Sequence, residues 1–387
     1  PALVPGTDLR ADPYVDHYVD PTADPYVDPR VKGQVGGQPP PGHRPGPYNS
    51  NYNTNLNLPT STSPEGGKVV REGTTAREKA SPPPQIPETW IENPRLARCA
   101  VPAAVDAPPP QESLQPFMAV AAAYAEQGLV VPTVVAADEH HGFMLQDDLG
   151  SALLLGELTA KSMVDYYQQA LTDLMKIMRV TDTDLGPLPL FDRALLEREL
   201  ALFHDWLVKT HLGLSMSEQQ QRMWSEFCEA MISNALEQPQ VGVHRDFHSR
   251  NIMVQAGRLA YIDFQDAVVG PITYDAVSLL RDCYVDWSPA DIQRLSQGFF
   301  EQLQAEQLIT ASVTLSQWQR WFDLMGMQRH TKAAGIFARL YHRDGKSGYL
   351  QDIPRTVNYL VRVSAHYPEF ADYRAWLLSD IVPALAR

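Results

Sequence analysis

The chain has 387 residues, 44% of them hydrophobic, enough for two domains, and it contains no apolar run near the ~18 residues that span a bilayer. Its formal charge of -14 argues against a nucleic-acid surface, which clustered Lys and Arg would have to build, so neither nucleic acid nor membrane is expected as a partner. Cys99, Cys228 and Cys283 are odd in number and widely spaced, which signals neither a disulfide framework nor a zinc site; with no charged-then-apolar leader at the start, the expected compartment is the reducing cytoplasm.

Residues 1–98 hold 18 of the 32 prolines, repeat Asp-Pro-Tyr-Val-Asp at Asp12–Asp16 and Asp24–Asp28, and run through Gly, Pro, Asn and Ser clusters. That composition predicts a low-complexity, disordered tail. Within it Gly66-Gly67-Lys68 is the one stretch of phosphate-loop character, but no Ser or Thr follows the Lys, and a plain turn is the competing reading. Ala103–Ala107 then reads as a strand, Ser113–Gln127 as a helix with Phe117, Val120, Ala121 and Tyr124 on one face, and Val131–Ala136 and Phe143–Leu145 as two strands joined by a polar turn at Asp138–Gly142. From Thr159 the pattern is helical. Amphipathic stripes mark helices over Met163–Ile177, Leu196–Leu207 and Glu218–Leu236, and these apolar faces are expected to be core.

The informative stretch is Val241–Asp275. His244-Arg245-Asp246 precedes Asn251 by five residues, and after two short apolar runs, Ile252–Val254 and Leu259–Ile262, comes Asp263-Phe264-Gln265. The runs flank Gln255–Arg258 and predict a β-hairpin. This is the order of a kinase catalytic loop followed by a metal-binding loop, and it names phosphoryl transfer. A loose, metaphosphate-like transition state requires a carboxylate to take the attacking hydroxyl's proton and oxygen ligands to fix Mg²⁺ on the phosphates. Asp246 fits the first role; Asn251 and Asp263 fit the second. A helix is expected from Ala276 to Cys283, with Arg281 and Asp282 either near the substrate or in an ion pair.

The segments HRDFHSRNIM and IDFQDAVVGPITYD resemble the aminoglycoside phosphotransferase and choline kinase family. The resemblance implies an α+β, protein-kinase-like two-lobe fold, with ATP and Mg²⁺ as cofactors. It divides the chain into the tail (1–98), a partial small β lobe ending in a hinge (99–150) and a helical catalytic lobe (151–387). It places His244, Arg245 and His248 with Asp246 in the catalytic set, has Asp275 brace the catalytic loop, and makes Gln146, Asp147 and Asp148 the hinge whose backbone meets adenine. An N-cap at the following helix is the compatible alternative for Asp275. One departure stands out. No glycine-rich loop and no strand Lys are recognisable before Ala103, so either the phosphates are handled differently here or another reading frame has replaced the start of the lobe.

Between Gln328 and Lys346 there are five Lys or Arg against one Asp, in an acidic protein. On a helix Arg329, Lys332, Arg339 and Arg343 share one narrow sector beside an apolar side of Ala333, Phe337, Leu340 and Tyr341. The sector is either a solvated charged face or a cationic wall facing an anionic group. Kinases of cationic acceptors are expected to carry the opposite sign. Residues 105–383, through VDAPPPQESLQPF, HRDFHSRN, DFQDAVVGP and QRHTKAAGIFARLYHRDGKSGYL, resemble the bacterial N-acetylmuramate/N-acetylglucosamine anomeric kinases of cell-wall recycling. That resemblance implies a monomeric sugar kinase whose substrate contacts include Arg329, His330 and Arg339. A kinase of another small alcohol, and an inactive kinase-like binding module, are the alternatives.

Overall fold

The computed structural model describes residues 113–387 together with the backbone of 102–106. The proline-rich stretch and Gly66-Gly67-Lys68 lie outside the described residues, as does Cys99.

Three strands, β1 (Pro102–Asp106), β2 (Val134–Asp138) and β3 (Phe143–Asp147), form an antiparallel sheet in the order β1-β3-β2. Helix α1 (Gln115–Glu126) follows β1 and buries Val120, Ala121 and Tyr124. Two strand boundaries move from the sequence expectation. Strand β2 begins after Pro132, which has no N–H to give a ladder, and extends through Asp138, which pairs with Phe143. The turn then closes on Asp138, whose carbonyl accepts the Gly142 N–H at 2.8 Å. Strand β3 runs on through Asp147, so two of the three expected hinge residues are strand; the Asp147 N–H is spent on Thr133 O at 3.0 Å.

Beyond the sheet the described chain is mostly helix. Helix α2 (Met163–Ile177) buries Met163, Tyr167, Leu171 and Leu174 along one stripe. Helix α3 (Arg193–Leu202) is capped by the Asp192 carboxylate, which accepts the Leu195 N–H, and continues at Phe203–His211 as a wider π-type helix. The widening occurs where another helix crosses at very close range: a Cβ on Gly335 would lie 2.3 Å from the Leu202 carbonyl carbon and 2.6 Å from Phe203 N. Only glycine permits that approach. Helix α4 (Glu218–Glu237) opens with a capping box, Ser217 accepting from Gln220 N while the Gln220 side chain accepts from Ser217 N.

Two short strand pairs carry the chemistry. Strand β4 (Gln240–Val243) pairs with β7 (Val268–Pro271), and β5 (Ile252–Gln255) with β6 (Arg258–Tyr261). The β5–β6 turn holds Ala256 and Gly257 at φ of 49° and 79°, the left-handed pair that a two-residue hairpin turn requires. Helix α5 (Tyr274–Leu280) starts two residues earlier than expected. After α6 (Pro289–Ala305), the 30-residue helix α7 (Leu315–Asp344) crosses the core against α3, α4, α5 and α8 (Ile353–Ser364). Among the described residues no helix is long and apolar enough to cross a membrane.

Candidate active site

The catalytic segment is held between the hairpin and α5. The Asp275 carboxylate, in the first turn of α5, accepts the backbone N–H groups of His244 at 2.6 Å and Arg245 at 3.1 Å. Those two bonds support an unusual backbone, because Arg245 sits at φ 75° and Asp263 at φ 67°, both in the left-handed region that L-residues rarely occupy. Both strained residues border the carboxylates of interest. From the opposite side Asp282 accepts Ser249 N at 3.0 Å and Ser249 Oγ at 2.5 Å. The segment after β3 completes the clamp: Leu155 N–H donates to Ser249 O at 3.0 Å and Val254 N–H to Ala152 O at 2.8 Å.

Inside this frame the three sequence-selected groups converge. Asn251 Nδ2 donates to Asp263 Oδ2 at 3.0 Å and to the Asp246 carbonyl at 3.2 Å, leaving its Oδ1 as the amide's ligand atom. Gln265 Nε2 fixes the other oxygen of Asp263 at 2.8 Å. Burial, and after it the charge of Asp246, raises the Asp263 carboxyl above its ordinary range. Burial also works to raise Asp246, but Lys332, His248, Arg329 and Arg245 outweigh it and hold that carboxyl low, so it is ionised at neutral pH. A low-lying base beside a second, mutually repelling carboxylate and an amide oxygen is a donor set for a hard divalent cation, and Asn251 and Asp263 would hold it.

Two of the supporting cations, Arg329 and Lys332, come from α7. Lys332 Nζ lies 2.8 Å from Glu199 Oε1 and 3.0 Å from the Tyr274 hydroxyl. Arg245 reaches the same Glu199 oxygen at 3.1 Å, and Gln328 donates to the other at 3.0 Å. Arg329 donates to Arg245 O at 3.2 Å with its guanidinium 4.6 Å from the Tyr274 ring centroid. Arg329 thus ties helix α7 to the backbone of the catalytic loop. His330 is 2% exposed, donates to Gly326 O at 2.6 Å and stacks on Tyr359 at 4.0 Å; burial brings its pKa to about 3, so it is a neutral packing residue. Arg339, half-buried, sits beside Arg343, about 10 Å further along the helix than Lys332 at 1.5 Å per residue.

His244 also turns inward. It is fully buried with Tyr124, Phe247 and Phe264 around it at 5.8–6.3 Å, and burial pulls its pKa to about 4. Its part, like that of Arg245, is to position the loop. Phe264 stacks on Phe117 at 4.8 Å and so fastens α1 to the metal-loop segment. In the expected hinge Asp148 lies past the strand, its Oδ1 accepting the Gly150 N–H at 2.8 Å. Arg281 and Asp282 pair with Asp323 and Ser249 and not with each other.

Sequence reasoning missed Glu199, Gln265 and the bracing use of Lys332. Glu199 was hidden in an amphipathic stripe; its one signal was a carboxylate at a position the helical period buries.

Residues 102–309 match the model of the phosphotransferase enzyme family. The chain belongs to this family. Among curated members, an N-acetylmuramate/N-acetylglucosamine kinase of Pseudomonas putida is 40% identical over 268 residues, 69% of this chain and 78% of that one. A kinase of the same name from Neisseria meningitidis serogroup B is 39% identical over 281 residues, covering 71% and 82%. Of solved structures, Plasmodium vivax ethanolamine kinase superposes with a TM-score of 0.50 at 11% identity, covering 69% of this chain and 77% of that chain, which shows the shared kinase-like fold. As a phosphotransferase, the chain combines that fold with the Asp246–Asn251–Asp263 convergence described above.

Proposed function

We propose that the chain transfers the terminal phosphoryl group of ATP to the anomeric hydroxyl of N-acetylmuramate or N-acetylglucosamine, as a cytoplasmic monomer serving cell-wall recycling. The observation that carries the reading is the convergence of Asp246 and Asp263 through Asn251, in a chain 39–40% identical over about 70% of its length to kinases named for these two sugars. The division at 98/99 and 150/151 into tail, small lobe and catalytic lobe belongs to the same proposal.

Asp246, ionised by its cationic surroundings, accepts the proton of the attacking hydroxyl as the new O–P bond forms and the bond to the ADP leaving oxygen breaks. Asn251 Oδ1 and the Asp263 carboxylate would hold Mg²⁺, which would supply charge neutralisation and alignment. Asp275 and Ser249–Asp282 keep the loop from relaxing out of its strained backbone.

The test is product analysis. Purified protein incubated with ATP, Mg²⁺ and each sugar is expected to yield sugar 1-phosphate, read as an anomeric proton coupled to phosphorus in the NMR spectrum. Phosphorylation at another hydroxyl, or of neither sugar alongside turnover of another alcohol, contradicts the proposal.

A further inference from the structure

A cavity of about 360 Å³ lies between α2, β6 and the loop that follows α1. Gln169, Thr172, Asp173 and Lys176 form one wall, at i, i+3, i+4 and i+7 along a single face of α2; Arg258 stands on the β6 side and Val130 on the loop. Neither the Asp246–Asn251–Asp263 set nor the expected hinge takes part in its lining. In a protein of formal charge -14 the cavity gathers two cations against one carboxylate. Lys176 Nζ lies 2.6 Å from Asp173 Oδ1, the two side chains being 37% and 16% exposed. The exposed Arg258 guanidinium has no ion-pair or hydrogen-bond partner among the described residues.

An Arg fork and a Lys point charge on two walls of one cavity suit a phosphate dianion, the Arg taking two oxygens and the Lys a third. A half-exposed ion pair such as Lys176–Asp173 is weak enough to be exchanged for that contact. The Gln169 amide can donate or accept, and the Thr172 hydroxyl, which donates to Gln168 O at 2.9 Å, keeps lone pairs to accept from a hydroxyl. No aromatic ring lines the cavity to stack a base, so the body carrying the phosphate is a small sugar and not a nucleoside. The volume, at the small end of the about 300–1,000 Å³ of ligand pockets, agrees.

Tyr261 ties this cavity to the catalytic residues. Its hydroxyl donates to Asp173 Oδ2 at 2.9 Å, its N–H to Val130 O at 2.9 Å, and its ring stacks on Phe247 at 5.4 Å. Phe247 directly follows Asp246, and Ile262 alone separates Tyr261 from Asp263. Burial, and after it the charge of Asp173, raises the phenol, so it stays a donor. Asp173 therefore meets Lys176 with one oxygen and Tyr261 with the other, and an anion that takes Lys176 leaves Tyr261 as the carboxylate's remaining printed-distance partner on the strand leading to the metal loop. We propose that the cavity is a second ligand site, for a small sugar phosphate held by Arg258 and Lys176, whose occupancy is transmitted to Asp246 and Asp263 through the Asp173–Tyr261 hydrogen bond. The site stands whichever acceptor the active site phosphorylates.

The probe is glucose 1-phosphate, whose anomeric hydroxyl is already esterified, titrated calorimetrically into the full chain saturated with Mg²⁺ and a non-hydrolysable ATP analogue. Binding is expected to weaken about 10- to 100-fold in R258A and in K176A, each of which loses a charge-assisted contact, while basal turnover of R258A stays at the wild-type level. AMP is expected to bind at least about tenfold more weakly than glucose 1-phosphate. Y261F should keep the affinity within a few-fold yet abolish the change in hydrogen exchange over residues 259–263 that the ligand produces in the wild type. No binding, or binding that R258A and K176A leave untouched, overturns the site, the second result placing the ligand in the active site. AMP bound as tightly as the sugar phosphate overturns the ligand class, and exchange over 259–263 that the ligand leaves unchanged, or changes equally in Y261F, overturns the coupling. A wild type that phosphorylates neither amino sugar overturns the sugar-kinase reading and leaves these binding measurements to decide the second site on their own.

Discussion

Replacing Glu199 by Gln removes the one carboxylate that holds three groups beneath the catalytic loop. Glu199 accepts from Lys332 at 2.8 Å, Arg245 at 3.1 Å and Gln328 at 3.0 Å, and its side chain is 5% exposed, against 12% and 19% for the two cations. Breaking a buried pair from one side costs about 3–5 kcal/mol, because the remaining charges lose their compensation. Lys332 and Arg245 keep the charge of Asp246 and the Tyr274 hydroxyl or ring nearby, which points to the lower end, about 3 kcal/mol. The freed cations would also draw on Asp246, displacing the base, so a loss of about tenfold in kcat is expected as well.

Urea unfolding followed by circular dichroism measures the first effect and steady-state turnover the second. The pH dependence gives the sign. Burial raises the Glu199 carboxyl, but Lys332 and Arg245 outweigh it, so the folded pKa lies below the ordinary 4.5. The stabilisation is therefore fully present above about pH 4.5 and is lost as pH falls through the lower folded value. The difference between wild type and E199Q should be flat from neutral pH down to that point and shrink below it. A variant within about 1 kcal/mol of wild type, with unaltered kcat, would refute the claim that Glu199 organises the loop.

D275N keeps one acceptor where the carboxylate now serves two N–H groups, and kcat is expected to fall about tenfold as the His244–Arg245 backbone loosens. Burial pushes Asp275 up to about 7 from 3.8, so folding favours its protonated form; wild-type stability relative to D275N should decline as pH rises from 4 to 7, measured by thermal unfolding. G335A places a Cβ 2.3–2.6 Å from the Leu202–Phe203 backbone and is expected to cost about 2–3 kcal/mol, or to move α7 off the π-type segment, as hydrogen exchange there would reveal. S217A removes one half of the capping box of α4 and should cost about 1 kcal/mol in the same unfolding assay.

Much of the catalytic hairpin was legible because each of its residues answers to a local rule. The apolar runs at Ile252 and Leu259 alternate with a turn, and Asp246, Asn251 and Asp263 are spaced by the loop and the hairpin themselves. The phosphotransferase family and the kinase-like fold followed from that stretch, as did the helices whose stripes keep a period of 3.6. What resisted reading depends on long-range partners. The basic sector of α7 was visible, but which anion it faces is decided by where α3 crosses it, and α3 brings Glu199 under Lys332. His330 shares that helix yet points to Tyr359 and not to the loop, a rotation of one residue that periodicity cannot assign without knowing both neighbours. Strand β3 runs past its expected end because it is flanked on both sides, and two ladders prolong a strand that its own residues would end at Leu145.

The central claim is that Asp246 is the base while Asn251 and Asp263 hold the cation, and kinetics of D246N against Mg²⁺-dependent nucleotide binding tests it most directly. The account predicts that D246N keeps the unfolding midpoint and the Mg²⁺-dependent affinity for ATP near wild-type values while sugar phosphorylation falls by about 10²–10⁴-fold. Turnover within a few-fold of wild type, or a loss of activity explained wholly by lost nucleotide affinity, would contradict it.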